Sequence, residues 1–346
     1  MATSEEVARL AGVSRATVSR VLSGTVRVSE ATRHRVEEAA AQLGYEPDVA
    51  AQSLSGARSK TIALGFFAND VWALSQLTRP QYHFHLDVLR SIETAAAKAG
   101  FDLLLPSRPN STASDSYVRL LRSRRVAGAI MVACPPGDVR TQALIESELP
   151  TVFIDSIGVG SHATYVTSDN IEGARRITEH LLDLGHRRIA RITGTETDPS
   201  GQDRITGIRQ ALAARGIPED PTLTGRSDWS IEGAYHATLE LLERQADFTA
   251  VIAESDMMAI GILRALHEHG LRVPEDVSVT GFDDIDLCEF TAPPLTTVRQ
   301  DADAMGTGAV HALLSLVDGT GVEPIVLPTE IVVRRSTAAP RNPGAR

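Results

Sequence analysis

Apolar positions along this chain follow two rhythms, and the change falls near residue 60. Up to Leu43 they recur at helical spacing. In SEEVARLAGVSRATVSRVL (4–22), Val7, Ala8 and Ala11 make one small apolar face, and Val18, Val21 and Leu22 make another. The pattern predicts two short helices joined by a tight turn. Ser4 is the expected N-cap, with Glu5 and Glu6 in the first turn, where a carboxylate meets the positive end of the helix. Gly12 is the expected stop, since glycine enters the left-handed region without a Cβ penalty. Ser14 caps the second helix, and Val13 and Val18 hold the N′ and N4 positions of a hydrophobic staple. A third helix is predicted over 29–43, capped by Ser29, with Val36, Ala39, Ala40 and Leu43 inward and Gly44 ending it. So small a core is marginal alone.

Residues 45–59, YEPDVAAQSLSGARS, come next. Pro47 suits an N-terminal helical position and Asp48 follows in the first turn, but the helix would run only to about Leu54. A helix that short does not persist alone in water.

From Lys60 onward strand-like runs alternate with amphipathic stretches. The runs are 61–67, 102–106, 128–132 and 151–155, then 188–193, 249–255 and 276–284. Helical stretches lie near 85–99, 113–123 and 139–148, then near 171–184, 202–215, 231–245 and 256–269. This alternation predicts parallel sheets covered on both faces. Two such blocks, with a crossover near 155–168, predict two similar lobes with a ligand between them, beyond the carboxyl ends of the strands. A last strand, IVLPTEIVVR, is expected over 325–334. The tail from 337 to 346, rich in proline and small residues, is expected to be disordered.

Composition changes this picture in three places. At 346 residues with 42% apolar content, two or three domains with real cores are expected, and no uninterrupted apolar segment is long enough for a membrane span. The start MATSEEVARL lacks a basic stretch and an apolar run, so no export signal is expected and the protein is read as cytoplasmic. Cys134 and Cys288 fit no metal or redox spacing and read as small buried hydrophobes. The net charge of −10 is uneven: residues 1–60 hold eight Lys/Arg against seven Asp/Glu, and the rest holds 26 against 37. The acidity therefore belongs to the large C-terminal part. A near-neutral head presenting arginines on one face makes for weak, salt-sensitive binding to a polyanion, which dimerisation would strengthen.

The residues that follow the two-helix turn decide its reading. VARLAGVSRATVSRVLSG, followed by VSEATRHRVEEAAAQLGYEPDVAAQSL, resembles the lactose-repressor (LacI) family of bacterial transcription regulators. The resemblance implies an N-terminal all-α helix-turn-helix head (1–46), a hinge helix and linker (47–60), and a two-lobed α/β sensor like a periplasmic binding protein (61–336). Lobe 1 is expected at about 61–158 and 288–320, and lobe 2 at about 159–287 and 321–336. It also implies a dimeric repressor that binds near-palindromic double-stranded operator DNA under the control of a small effector, a sugar. Ser14, Arg15, Ala16, Thr17, Ser19 and Arg20 would face the major groove, with Arg15, Ala16 and Arg20 at the variable base-reading positions. Ala51, Gln52 and Leu54 would meet the minor groove, Leu54 as a wedge that kinks the duplex. Asp48 stands where some relatives carry asparagine, and a carboxylate there would be repelled by phosphate. No tetramerising heptad follows residue 336, so a dimer is expected.

No phosphate-cradling glycine loop, nucleophile elbow or Cys/His ligand set is present, and neither cofactor nor metal is expected. His83 and His85 lie in a loop or at a helix start; His267 and His269 are two apart on a helix and face different ways. A polyol site needs carboxylates to accept from hydroxyls, a donor such as arginine, and an aromatic ring for the C–H face. Asp155 and Asp283 end predicted strands. Arg204 in GQDRITG matches the family segment whose arginine grips the effector, and Trp229 in SDWS matches a pocket-lining tryptophan. Ser255 stands before Asp256 where relatives read Asn-Asp, so an amide donor is missing. The long loop 68–84 offers Trp72, Tyr82 and Phe84 to reshape or close the pocket. The competing readings are a transporter's solute receptor, disfavoured by the head, and a sugar-acting enzyme using paired carboxylates, for which no motif assigns a role.

Overall fold

A computed structural model describes residues 2–23, 28–45, 59–66, 82–106, 113–195 and 197–341. The hinge positions Ala51, Gln52 and Leu54, and most of the 68–84 loop including Trp72, lie outside the described residues. The chain separates into a small N-terminal unit and a large one.

In the small unit, α1 (Ser4–Ala11), α2 (Arg15–Ser23) and α3 (Glu30–Leu43) enclose a core of Val7, Ala8, Ala11, Val18, Val21, Val36, Ala39 and Ala40. The cap of α1 is Thr3 rather than Ser4. Thr3 and Glu6 form a reciprocal capping box, which moves the helix start one residue earlier and places Ser4 inside it. Gly12 closes α1 at φ 64°, and Ser14 Oγ accepts the Thr17 N–H at 3.1 Å to start α2. Val13 packs on the same core as Val18, as the staple requires. Leu43, expected to point inward, is 37% exposed, because Gly44 turns the chain away there at φ 57°.

The large unit holds two parallel sheets. The first has strand order β11-β5-β4-β3-β1-β2, from β1 (Thr61–Phe66), β2 (Asp102–Leu104), β3 (Gly128–Val132), β4 (Thr151–Ile154), β5 (Ala163–Ser168) and β11 (Ile325–Leu327). The second has order β7-β6-β8-β9, from β6 (Ile189–Thr193), β7 (Thr224–Arg226), β8 (Ala250–Ala253) and β9 (Ser278–Thr280). Strands β1, β3, β4 and β8 are buried almost throughout, the pattern of a sheet covered on both faces.

The helices between them are α4 (His83–Lys98), α5 (Ser116–Ser123), α6 (Val139–Ile145), α7 (Asn170–Asp183), α8 (Pro199–Ala214), α9 (Ile231–Glu243) and α10 (Asp256–Glu268). Helix α11 (Ala302–Val317) packs on α4, β4 and β5 and so belongs to the first lobe. A two-stranded antiparallel ribbon, β10 (Thr297–Arg299) with β12 (Glu330–Val332), extends the second lobe, since β9–β10 bridges join Thr280 to Thr296 and Asp283 to Arg299.

The lobe boundaries therefore differ from the expected ones. β5 and β11 pair with each other in the first sheet, although both fall in ranges expected for lobe 2. The stretch expected as one strand over 325–334 is cut by Pro328, which cannot donate to a ladder, so β11 serves one lobe and β12 the other. The chain thus passes between lobes three times: after Ser168, near Gln300, and at Pro328–Thr329. Of the tail expected to be disordered, residues 342–346 lie outside the described residues, and 337–341 are ordered by specific contacts. Residues 337–341 lie along the second lobe: the Ala338 N–H donates to Ser278 Oγ at 3.0 Å, the Ala338 carbonyl lies 2.8 Å from His186 Nε2, and Arg341 pairs with Asp276 at 2.5 Å. Among the described residues no helix is long and apolar enough to cross a membrane.

Candidate effector site

The two lobes of the large unit enclose a cavity of about 340 Å3. Its walls come from the carboxyl ends of parallel strands: Ala133 and Cys134 after β3, Asp155 after β4, Thr195 after β6, Asp228 and Trp229 after β7, Ser255 after β8 and Asp283 after β9. Of the residues proposed from the sequence, all seven that are described, Tyr82, Phe84, Asp155, Arg204, Trp229, Ser255 and Asp283, line this one space. Parallel strands release their chain at one edge, and the loops there are free to carry polar groups.

Four cavity residues other than glycine hold positive φ: Ala133 at 50°, Asp155 at 52°, Trp229 at 68° and Asp283 at 127°. Such angles are costly for L-residues and persist where the surroundings dictate them. At Trp229 the surroundings are visible. The indole lies flat over Gly194, where any Cβ would overlap the ring, and its Nε1 donates to Thr195 Oγ1 at 3.2 Å.

Arg204 is the buried cation of the site. It projects from α8 at 5% exposure, donates from Nε to Asn170 Oδ1 at 2.9 Å and from Nη1 to the Glu254 carbonyl, and stacks 3.8 Å above the Phe282 ring. Its Nη2 stands 3.8 Å from Asp283 Oδ1, too far for a tight ion pair. Asp283 accepts instead from Gln300 Nε2 at 2.7 Å. Burial pushes its carboxyl up to about 8, against the pull of Arg204, and the nearby Asp256 carboxyl adds to the rise. Near neutral pH Asp283 is thus largely protonated and can donate as well as accept. Glu254, beneath the cavity, accepts the Gly194 N–H at 2.9 Å, and burial raises it to about 7.

Other placements refine the sequence reading. Ser255 Oγ is engaged as the cap of α10, accepting the Met258 N–H at 3.2 Å, which fixes the side chain and leaves its single O–H to donate in place of the missing amide. Asp256 is fully buried and structural, accepting from Thr297 Oγ1 and from the Ile285 N–H. Asp155 is more than a turn residue: its Oδ2 lies 3.5 Å from His85 Nε2 and its Oδ1 accepts from Thr167 Oγ1 at 3.4 Å.

The sequence reading left out Asp198, Asp228, Gln300, Thr195 and Thr197, and gave His85 little weight. Asp198 had a local signal, an Asp-Pro pair opening α8, where its carboxylate accepts the N–H of Ser200 at 2.9 Å. Gln300 had none, because it follows β10 on a segment whose lobe was misassigned. Among the described residues no cluster of His, Cys, Asp and Glu could hold a metal ion. Both cysteines are free and buried, with burial pushing their thiols well up.

On the small unit, Ser14, Arg15, Ala16, Ser19 and Arg20 are exposed along α2, Thr17 is half-buried, and Ser14 Oγ and Thr17 Oγ1 share a 2.9 Å hydrogen bond. The hydroxyls of Ser14 and Thr17 are therefore partly committed to capping.

A helix-turn-helix head, followed along the chain by a two-lobed parallel-sheet domain with a polar cavity at its strand ends, defines a DNA-binding regulator as the class of protein. A model described as bacterial regulatory proteins, lacI family, matches residues 3–48, and one described as a periplasmic binding protein-like domain matches residues 178–337. The chain is 36% identical to the HTH-type transcriptional regulator CelR of Thermobifida fusca over 96% of this chain and 98% of that one. It is 33% identical to the HTH-type transcriptional repressor CytR of Escherichia coli, covering 98% and 97% of the two chains. Among solved structures, a CelR–cellobiose complex matches with TM-score 0.72 at 35% identity over 97% of this chain and all of that one. A lac repressor dimer bound to operator and the anti-inducer ONPF matches with TM-score 0.80 at 31% identity, covering 98% and 99%. The chain belongs to the LacI family of bacterial transcriptional regulators, which act on transcription and not as enzymes.

Proposed function

We propose that this regulator is a repressor that binds a near-palindromic operator as a homodimer and is controlled by a sugar held in the cavity between its lobes. What carries the reading is the chemistry of that cavity. Asp155, Asp198 and Asp283 accept from hydroxyls, Arg204 is a fixed donor at the floor, and Tyr82, Phe84 and Trp229 offer faces for C–H groups. The sugar in the CelR–cellobiose complex supports the ligand class. The operator in the lac repressor complex supports the DNA target.

Arg15, Ala16 and Arg20 on α2 are the proposed base readers. Ala16 offers only a methyl group, so the two arginines supply the hydrogen-bond discrimination. Ala51, Gln52 and Leu54 are proposed to enter the minor groove once two copies meet. The effector acts by its different affinity for the two poses of the lobes, and that difference sets how far operator binding shifts.

The test is fluorescence anisotropy with duplexes from the genes around its own, with and without a panel of sugars. Tight binding to one near-palindromic duplex, weakened tenfold or more by one sugar, is the expected result. Indifference to every duplex at low ionic strength, with or without sugars, would overturn the proposal.

A further inference from the structure

A second, smaller cavity of about 210 Å3 lies behind the first in the large unit. It is lined by the end of β5 and the starts of α7 and α8, and it shares Asp155, Pro199 and Ser200 with the first. Asp155 stands between the two with one oxygen toward each. Its Oδ2 faces His85, which lines the first cavity, and its Oδ1 accepts from Thr167, which lines the second. Both contacts are long, 3.5 and 3.4 Å, so neither ties the carboxylate down.

The second cavity has a definite chemistry. Asp155, Asp169 and Asp203 give it carboxyl oxygens, and Tyr165 and Thr167 give it hydroxyls. Ser168 is 2% exposed, and its Oγ has no hydrogen-bond partner. Ile157 and Val326, at 65% and 54% exposure, form an apolar rim. Among the described residues no Lys, Arg or His lines the space, so phosphate or carboxylate groups find no cationic side chain there to offset repulsion by its carboxylates. Burial raises the Asp203 carboxyl, helped by Asp169 and opposed by Arg204. Asp169 is already occupied in capping α7 through the Glu172 N–H at 3.0 Å.

At about 210 Å3 the space falls below the roughly 300 Å3 at which ligand pockets begin. It suits an extension of the first site rather than a site of its own.

We propose that the second cavity is an extension subsite for one further uncharged glycosyl unit, so that the effector is an oligosaccharide reaching past Asp155 rather than a compact sugar filling the first cavity alone. Hydroxyls of the added unit donate to Asp203 and Asp155, and its C–H face rests on Ile157 and Val326. This rests on the sugar reading of the main cavity.

The experiment is titration calorimetry of the full chain against neutral gluco-, xylo- and galacto-oligosaccharide series, from one to five units. In a series whose disaccharide binds, the expected result is a further tenfold or greater gain on adding the next unit. Val326→Trp, which fills the space from an exposed rim position, and Asp203→Ala should each erase that gain while disaccharide affinity stays within twofold. Melting curves of both variants check that the fold is kept. Equal affinity for short and long members, or variants that weaken both alike, would overturn the extension and leave the main cavity standing. Failure of every series to bind at all would overturn the sugar reading and the extension together.

Discussion

Arg204 illustrates how a single side chain serves two roles in this molecule. It fixes the floor of the cavity by joining Asn170 of α7 to the Glu254 carbonyl after β8, and it offers a cationic edge to whatever enters. Arg204→Ala should cost about 1.5–3 kcal/mol for each of its two hydrogen bonds, to Asn170 and to the Glu254 carbonyl, read by urea unfolding of the unliganded protein. The same variant should lose its sugar response in operator titrations; an unchanged response would remove Arg204 from the site.

Asp283 and Glu254 make a second prediction at this scale. Both carboxyls are raised, to about 8 and about 7, from ordinary values of 3.8 and 4.5. Below those ordinary values both are protonated in the folded and unfolded chain and affect stability little. As pH climbs from there toward 8, the unfolded chain gives up protons that the folded chain keeps, and stability falls. The melting temperature of the free protein should therefore drop between pH 5 and 8.5, and Asp283→Asn should flatten part of that slope. On the proposed DNA face, Arg20→Ala should weaken operator binding by about 1–3 kcal/mol, with a smaller loss on random duplex. Equal losses on both would reassign Arg20 to the phosphate backbone.

At the scale of elements, close helix pairing depends on two buried positions that admit no side chain. A Cβ on Gly207 of α8 would overlap the Ile171 carbonyl of α7, and one on Gly261 of α10 would overlap the Ile231 carbonyl of α9. Gly207→Ala should cost about 1–3 kcal/mol by forcing α7 and α8 apart. Because α7 and α8 both open toward the cavities, sugar affinity should fall with it; denaturant melts and calorimetry on the same sample check both.

Elements were also where the sequence was most and least readable. β1, β3, β4 and β8 announced themselves as runs of buried apolar residues, and α7 to α10 by helical periodicity. β5 and β7 did not, because β5 reads ATYVTS, half polar, and β7 is three residues long. β10 and β12 are likewise three-residue pieces, and their pairing decides which lobe Gln300 serves. Asp155 and Asp283 were legible because each follows a predicted strand. Trp229 and Arg204 were legible through the family resemblance. Asp198 was overlooked, and His85 given little weight, because a helix start shows capping chemistry in sequence but not the wall it faces.

For the whole molecule, charge and linkage set the behaviour. The net charge of −10 resides outside residues 1–60, so the proposed operator binding would rest on local arginines against an unfavourable overall field. Affinity should fall steeply as salt rises, with a log–log slope of about −0.9 for each phosphate neutralised. Sugar at a hundred times its dissociation constant should stabilise the sensor by about 2.7 kcal/mol, visible as a rise in its melting temperature.

The three passages between lobes, after Ser168, near Gln300 and at Pro328–Thr329, have a practical consequence. Lobes sharing three strands of chain resemble a door on three hinge pins, able to swing but hard to twist or slide. Severing the pin at Pro328 would still leave two, so a chain opened there, as in a circular permutant, should keep its lobes aligned and its cavity intact.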